Sequence, residues 1–362
     1  MDADISRASA ALRMGRPLEA LSGVGSRRDA HAEAVRGIAL AQLGEYERGR
    51  SCLSRALRLF RRAGQPVWMA KAQAAIAEID LATRDLVSAS RALDSAALRR
   101  AGDTASAAYV DILRARLLAI LGRHRDSQRL LDSAGWGPAA VLARAELLAF
   151  RGRFAQAARV AARVRTRNPL LAGEAERLGR ELRRPSLRFR RDGQEREISL
   201  AELEGVRGPY VDAVRKRLGA IDLSRRPATF ELLLALARGP VRARTLFPGA
   251  NESHVSRLKV EVGRLRRATG LDIRVTPRGY RCANLGLLLP GADPIESLLS
   301  DGELWPPRAI AVALGLTVRS VQRALEASPR ILGIGRGRSR RYRLRGRGTG
   351  IATQMLLLSA RA

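Results

Sequence analysis

A turn motif that recurs along the first 182 residues constrains this chain more than any other feature. The segments RMGRPLEAL, QLGEYERGR, LGRHRDSQR and RGRFAQAAR each place a glycine between two helical stretches, at Gly15, Gly44, Gly122 and Gly152. A fainter copy, ATRDLVSASRAL, has Arg84 at that position, and the five turns are spaced by 29, 40, 38 and 30 residues. Apolar residues between the turns recur every three or four positions, which is the helical period. The pattern predicts a stack of antiparallel helix pairs.

Small residues flank the turns at fixed distances, seven residues before and five residues after. Small side chains at both positions allow the two helices of a pair to approach closely. The positions before the turns are Ala8, Gly37, Ala77, Ala115 and Ala145, and those after them are Ala20, Gly49, Ser127 and Ala157.

The turn spacings bracket the ~34-residue period of tetratricopeptide (TPR) repeats, and residues 1–182 resemble that family in a degenerate form. The resemblance implies an α-solenoid with a concave surface that binds a protein or peptide partner. A scaffold or self-association block without a discrete ligand is the alternative that the sequence leaves open.

The charge of the chain favours a polyanionic partner. Its formal net charge is +31 and its pI is about 11.7, and each phosphate that a basic protein neutralises releases counterions. Residues 1–182 and 183–281 each carry a net charge of +12, although the second segment is about half as long, and residues 330–347 hold eight basic and no acidic residues. Only Lys71, Lys216 and Lys259 are lysines, so arginine-rich codon usage is an alternative source of part of this charge.

The sequence pattern changes after residue 182, and residues 183–284 are predicted to form a separate domain. Asp192-Gly193 lies between two alternating segments and predicts a hairpin, a helical stretch is expected around 209–219, and RRPATFELLLALARGP reads as a buried helix. A further helix over about 253–268, capped by Asn251, carries an apolar stripe. Two short strands follow around Pro277-Arg278-Gly279.

The apolar stripe of this helix consists of Val255, Leu258, Val262 and Leu265. Two segments resemble the OmpR-like winged-helix effector domain of bacterial response regulators: the run Leu-x-Val-x-Val-x-x-Leu-Arg-Arg at 258–267 and the segment RGYR at 278–281. The resemblance implies a small N-terminal sheet, a helix that enters the major groove and a wing that touches the DNA backbone or the minor groove. Glu261 would lie on the DNA side of this helix. The residues expected at the DNA are Ser256, Arg257, Lys259, Arg264, Arg267, Arg274 and Arg278.

Residues 285–347 contain a second pattern of this kind, PPRAIAVALGLTVRSVQRALEASPRI, which resembles a generic helix-turn-helix. Gly315 lies at the turn, where positive φ is cheap for glycine, Thr317 is placed to cap the second helix, and Leu316 is one of the expected apolar positions. ILGI and RRYRLR read as a second wing. The expected contacts with DNA are Thr317, Arg319, Ser320, Gln322, Arg323, Arg336, Arg338, Arg340 and Arg341. Residues 348–362 form a C-terminal tail.

Enzyme and membrane signatures are missing from the sequence. Two cysteines and three histidines, His31, His124 and His254, give no disulfide framework and no metal-binding spacing. No phosphate-binding GxxxxGK[ST] motif occurs, no signal-peptide pattern begins the chain, and no apolar run reaches the roughly 20 residues that span a bilayer. We therefore expect a cytoplasmic, nucleoid-associated protein that is not an enzyme and takes no cofactor and no metal.

The sequence predicts a mainly α fold, in which a TPR-like α-solenoid precedes two winged-helix (α+β) domains. The expected function is that of a transcriptional regulator that binds double-stranded DNA through both winged helices and a protein partner, or a second copy, through the repeats. The alternative is a TPR adaptor that anchors to nucleic acid without sequence readout. A third reading makes the winged helices protein-interaction modules.

Overall fold

Helices dominate the fold, as expected for a mainly α chain. The computed structural model describes residues 3–99, 104–135, 137–219, 221–223, 226–247, 249–300, 304–334, 337 and 340–344. These residues divide into two compact units. Residues 3–182 are called the N-terminal unit and residues 183–344 the C-terminal unit. The predicted tail, 348–362, lies outside the described residues.

The N-terminal unit consists of helices joined by short turns. Its helices pack in consecutive pairs, and alternate helices such as the fifth, seventh and ninth also contact one another. In chain order the helices are α1 (Ala3–Arg13), α2 (Pro17–Val24), α3 (Ala30–Gln42), α4 (Tyr46–Arg62), α5 (Pro66–Ala82), α6 (Leu86–Arg99), α7 (Thr104–Ile120), α8 (His124–Ser133), α9 (Pro138–Phe150), α10 (Phe154–Ala161) and α11 (Pro169–Arg183).

The predicted turns lie between the paired helices and share one backbone geometry. Their four glycines have φ between 67° and 85°, and Arg84 has φ of 61° at the equivalent position. The residue after each of these positions donates its backbone N–H to the carbonyl five residues earlier. Glu45 donates in this way to Leu40 at 2.9 Å, and Asp85 to Asp80 at 2.8 Å. This pattern satisfies carbonyls that the helix end leaves free. Arg84 therefore occupies a glycine position, as the fainter sequence copy indicated.

The small residues beside the turns meet across the helix pairs, which confirms the expected close approach. A Cβ atom on Gly37 of α3 would lie 2.9 Å from the Gly49 carbonyl oxygen of α4, and a Cβ on Gly49 would lie 2.7 Å from the Gly37 carbonyl oxygen. In the pair formed by α7 and α8, the Ser127 hydroxyl donates to the Ala115 carbonyl at 2.8 Å. The helices of these pairs thus touch backbone to backbone or through one hydroxyl group.

Ion pairs lie inside the alanine-rich core of this unit. Arg116 of α7 and Glu146 of α9 are both less than 10% exposed and lie 2.9 Å apart, Nε to Oε2. Glu33 of α3 is 4% exposed and binds Arg36 and Arg55. Burial of an ionised carboxylate is tolerated only when such partners are present, so these pairs constrain how neighbouring helices stack.

The C-terminal unit mixes short helices with strands. Its helices are α12 (Leu200–Leu203), α13 (Pro227–Arg238), α14 (Ala243–Leu246), α15 (Glu252–Thr269), α16 (Pro294–Leu299), α17 (Pro307–Leu314) and α18 (Val318–Ala327). Its strands are β1 (Pro185–Arg191), β2 (Gln194–Ser199), β3 (Tyr210–Asp212), β4 (Arg217–Leu218), β5 (Ile221–Asp222), β6 (Ile273–Thr276), β7 (Gly279–Cys282), β8 (Gly286–Pro290), β9 (Ile331–Ile334) and β10 (Arg341–Leu344).

Six of these strands form a mixed sheet in the order β2-β1-β8-β3-β4-β5, in which only β3 and β8 run parallel. The turn between β1 and β2 is Asp192-Gly193, both with positive φ, as a two-residue hairpin turn requires. The remaining strands form two separate hairpins, β6-β7 and β9-β10. The hairpin predicted at Asp192-Gly193 is therefore present.

One sequence expectation differs from the structure. The helical stretch expected around 209–219 is wrong, because β3 and β4 occupy it. The Asp212 carboxylate accepts the N–H groups of Val214 and Arg215, both at 2.9 Å, and this local bonding competes with a helix. Strand β8, which begins two residues after the expected domain boundary at 284, pairs with β1 and β3 in the centre of the sheet.

Candidate nucleic-acid interface

One order of elements occurs twice in the C-terminal unit. In the first module, α13 is followed by Val241, then α14, α15 and the hairpin β6-β7; in the second, α16 is followed by Trp305, then α17, α18 and the hairpin β9-β10. Val241 exchanges two backbone hydrogen bonds with Tyr280 (2.7 and 2.8 Å), and Trp305 does so with Tyr342 (2.9 Å each). Each module thus adds one bridging residue to the second strand of its hairpin.

Helix α15 has a buried stripe and an exposed ridge. Leu258, Val262 and Leu265 are at most 3% exposed and pack into the core formed with α13. Val255, expected in that stripe, is instead 57% exposed, because it lies in the first turn of the helix. Asn251 accepts the His254 N–H at 3.3 Å and caps the helix.

The ridge opposite this stripe follows the helical spacing of four, three and four. It consists of Ser256, Val260, Gly263 and Arg267, of which all but the half-buried Gly263 are exposed. Val260 is 51% exposed, and a Cβ on Gly263 would meet nothing within 4 Å. Ser256 and Arg267 were expected at the DNA from the sequence. Val260 and Gly263 were not, because their place on the ridge follows only from the position of the buried stripe.

The basic residues expected at the DNA beside this ridge lie on its flanks. Arg257 is exposed, and its guanidinium lies 5.5 Å from the centre of the Phe247 ring. Arg264 is exposed and binds Glu261 at 2.8 Å, and Lys259 is exposed on the other flank. Glu261, expected on the DNA side of the helix, is half-buried, and its ion pair with Arg264 partly neutralises its charge.

The hairpin β6-β7 carries further arginines. Arg274 lies across from Arg281 and binds Asp272 through two nitrogens, at 2.7 and 3.0 Å; its hydrogen bond lowers the pKa of the Asp272 carboxyl. Arg278 is exposed at the turn. Arg281 is also exposed and was not among the expected site residues, although it belongs to the motif that contains Tyr280.

Other arginines hold this hairpin in place. Arg266 donates through Nε to the Ile273 carbonyl at 2.8 Å, and Arg242 donates to the Pro277 carbonyl at 2.7 Å. The first bond joins α15 to β6, and the second joins the start of α14 to the hairpin turn. Charge-assisted hydrogen bonds therefore join the hairpin to α15 and to the start of α14, in addition to the apolar core that β6 and β7 share with α15.

Helix α18 repeats the plan of α15. Gly315 ends α17 with φ of 68°, as the sequence predicted, and the Thr317 hydroxyl accepts the Ser320 N–H at 3.2 Å, which caps α18. Val321 and Leu325 are at most 3% exposed. The expected DNA contacts of this helix, Thr317, Arg319, Gln322 and Arg323, are exposed, and Ser320 is half-buried.

Arg319 and Arg323 lie one turn apart on the face opposite Val321 and Leu325. Leu316, expected in the core of this module, is 44% exposed, since it lies in the turn before the helix. The exposed face of α18 is thus arginine-rich and apolar at its beginning.

The second hairpin is described in part. Arg340 is exposed, with its guanidinium 5.2 Å from the centre of the Tyr342 ring, and Arg341 is half-buried. The neighbouring Arg343 is 4% exposed and therefore belongs to the interior of the module. Arg336 and Arg338, also expected at the DNA, lie outside the described residues.

Helix α16, the first element of the second module, also contacts the six-stranded sheet. The Ser297 hydroxyl lies 2.7 Å from the Ser186 carbonyl of β1 and accepts the Gly291 N–H at 2.9 Å. Arg215 donates to the Ser300 hydroxyl at 2.9 Å. On the other side, Glu296 forms an ion pair with Arg330, which precedes β9. These bonds connect the second module to the six-stranded sheet.

Comparisons with known proteins add no relatives: no family model matches the chain, and neither a curated protein nor a solved structure is similar to it. In the part of the chain that the structure describes, no three His, Cys, Asp or Glu side chains cluster in a way that suits a metal ion. Among the same residues, no helix has both the length and the apolar character needed to cross a membrane.

Proposed function

We propose that this chain is a transcriptional regulator that binds double-stranded DNA through two winged-helix modules and receives a partner on TPR-like repeats. The observation that carries the proposal is the duplicated arrangement in the C-terminal unit. In both modules a capped helix with an exposed basic face lies beside a hairpin that is closed by a bridge to a tyrosine, Tyr280 or Tyr342. A helix and an adjoining hairpin in this order are what a winged helix presents to a groove and its edge.

The ridge of α15 is assigned to base edges and its flanks to phosphates. Ser256 and Arg267 carry hydrogen-bonding groups that read bases in the major groove, and the exposed Val260 suits the methyl group of thymine. Arg257 and Lys259 lie on opposite flanks, where a helix in the groove faces the two phosphate backbones. Gly263 has no side chain at the middle of the ridge, which permits close approach of the helix backbone to DNA.

In the second module, Arg319 and Arg323 are assigned to base edges because they project from the face opposite the core. Arg278 of the first hairpin and Arg340 of the second are assigned to phosphates or the minor groove, together with Arg336, Arg338 and Arg341 on the sequence pattern. Arg274 contributes less free charge, because Asp272 neutralises it. Phosphate contacts position a protein on DNA, whereas contacts with base edges specify its site.

The two modules are proposed to act as one reader. The bonds of Ser297 and Glu296 on either side of α16 favour a fixed orientation of α18 relative to α15. A single chain would then recognise an asymmetric site with two separate blocks of specified bases. We further propose that the protein works in the cytoplasm at the nucleoid, is not an enzyme, and uses its repeats for a protein partner or for self-association.

Selection from random duplexes with the purified full chain, followed by gel-shift titrations, tests this function. We expect the selected duplex to survive competition with random DNA by a factor of about 10³ or more. Arg267→Ala and Arg319→Ala should each reduce the preference for the selected site by about 1–3 kcal/mol. Arg196→Ala is the matched control, because Arg196 is an exposed arginine of β2, a strand that belongs to neither helix-and-hairpin module.

Two results would contradict the proposal in different ways. Binding that is equally tight on selected and random duplexes favours the adaptor, which anchors to nucleic acid without reading sequence. Failure to bind any duplex at low salt favours modules that contact proteins.

Arg340→Ala should weaken binding to every duplex, leave the site preference unchanged and reduce the slope of affinity against salt concentration, as is expected when a phosphate contact is lost.

A further inference from the structure

An open-sided cavity of about 830 Å³ lies in the N-terminal unit, between the loop that joins α2 to α3 and the helices α3 and α4. Arginines dominate its wall. The charged residues that line it are Arg28, Arg36, Arg55, Arg58, Arg62 and Glu33. Five positive charges and one negative charge leave a formal charge of +4 around a single concavity.

Part of this wall is held rigidly. The buried Glu33 carboxylate binds Arg36 and, at 2.8 Å, the Nε of Arg55. Arg36 also donates to the carbonyls of Gly25 and Arg27, at 2.9 and 2.7 Å. These bonds fasten the loop that carries Arg28 to α3, so the loop side of the cavity is preorganised.

The other cationic groups of the wall lack such partners. Among the described residues, Arg28, Arg58 and Arg62 have no carboxylate within ion-pair distance, and all three are exposed. Arg58 and Arg62 lie one turn apart on α4, an arrangement in which like charges destabilise an isolated helix by about 0.2–0.5 kcal/mol. A ligand with several negative charges would remove that repulsion.

The shape and chemistry of the wall restrict that ligand. Arg55 to Arg62 extend over about 10 Å of helix axis, which is a short span for a polymer and a suitable one for two or three linked phosphate groups. Guanidinium groups bind phosphate oxygens through paired N–H donors. The volume lies within the roughly 300–1,000 Å³ range of small-molecule sites. Of the described residues that line it, Leu59 is the one with a large apolar side chain.

We propose that this cavity binds a small molecule with a diphosphate or longer polyphosphate group. Arg58, Arg62 and Arg28 contact the phosphate oxygens, and the Glu33-bound pair Arg36 and Arg55 holds the wall in shape. The site lies wholly within the N-terminal unit, so the proposal does not depend on DNA binding. Free polyphosphate and a nucleoside diphosphate share this chemistry.

Isothermal titration of the full chain with pyrophosphate, with adenosine diphosphate and with adenosine tests the site. Arg58→Ala/Arg62→Ala should weaken binding of pyrophosphate by about ten-fold or more, since each hydrogen bond to a charged group contributes substantially. The matched control is Arg48→Ala/Arg61→Ala, which removes the same charge from the same helix outside the cavity. Circular dichroism of both variants checks that α4 remains folded.

The outcomes separate the sources of the ligand. Equal affinity for pyrophosphate and adenosine diphosphate indicates recognition of the phosphates alone, and tighter binding of adenosine diphosphate with no binding of adenosine indicates an organic diphosphate. Equal losses in the two double variants, or no saturable binding of either phosphate compound below about 1 mM, would overturn the proposal. Capture of an acidic peptide in place of pyrophosphate would overturn it as well.

Discussion

Replacement of Gly37 by alanine tests how closely α3 and α4 approach. The new Cβ would lie 2.7 Å from Leu53 Cγ, 2.9 Å from the Gly49 carbonyl oxygen and 3.1 Å from the Leu53 nitrogen, whereas non-bonded heavy atoms prefer about 3.5–4.0 Å. Two of these three atoms belong to the backbone and cannot rotate away. The helices must therefore separate by several tenths of an ångström.

The expected cost follows from two opposing effects. Overpacking of a core costs about 1–3 kcal/mol, and alanine gains about 1 kcal/mol over glycine within a helix. Gly37→Ala should therefore destabilise α3 and α4 by up to about 2 kcal/mol. Gly263→Ala isolates the second effect, because its Cβ meets nothing within 4 Å, and should stabilise α15 by about 1 kcal/mol.

Amide hydrogen exchange with peptide resolution measures both effects in the intact chain. Exchange in α3 and α4 should accelerate in Gly37→Ala by up to about ten-fold for every 1.4 kcal/mol, while exchange in α15 should slow in Gly263→Ala. If Gly37→Ala protects its helix as Gly263→Ala does, the backbone contact between Gly37 and Gly49 does not exist and the explanation of the small-residue pattern is wrong.

Further predictions concern charge, strain and capping. Burial lowers the pKa of His31, so the folded state favours neutral histidine; stability of the N-terminal unit should fall as the pH drops below about 6.5, as urea titrations at several pH values would show, and His31→Gln should flatten that dependence. Arg84→Gly should be more stable than Arg84→Ala by about 1 kcal/mol in thermal unfolding, because only glycine relieves the left-handed backbone. Thr317→Ala should cost about 1 kcal/mol and accelerate amide exchange at the start of α18, since the bond to Ser320 is lost; unchanged exchange there would contradict the capping role.

Local patterns were the most predictable part of the fold. The glycine turns, the Asp192-Gly193 hairpin and the α17–α18 turn at Gly315 were all expected, because positive φ and helical periodicity depend on a few adjacent residues. Arg84 shows that the alignment of repeats carried more information than residue type alone, since an arginine occupies the left-handed position.

Long-range pairing was not predictable in the same way. Strand β8 pairs with β1 about one hundred residues earlier in the chain and with β3 about seventy-five residues earlier. The local sequence of β8 does not indicate either partner. The stretch 209–219 failed as a helix for a related reason. Asp212 bonds to the backbone beside it, and Tyr210–Asp212 pair with β4 on one side and with the distant β8 on the other.

The candidate interface was predictable by residue type and not by placement. Exposed arginines on α15 and α18 were expected, but their division into a ridge and two flanks depends on which residues are buried. The pairing of Arg264 with Glu261 and of Arg274 with Asp272 also appears only in three dimensions. The cavity that contains Arg58 and Arg62 left no sequence signal, because its wall combines a loop and two helices.

Hydroxyl-radical footprinting of the selected duplex tests the central claim most directly. The full chain should protect two separate patches of the DNA backbone, one for each helix-and-hairpin module, and Arg319→Ala/Arg323→Ala should abolish one patch while the other persists. Uniform weak protection along the duplex, or the loss of both patches to the same degree, would contradict recognition of DNA by two modules with distinct contacts.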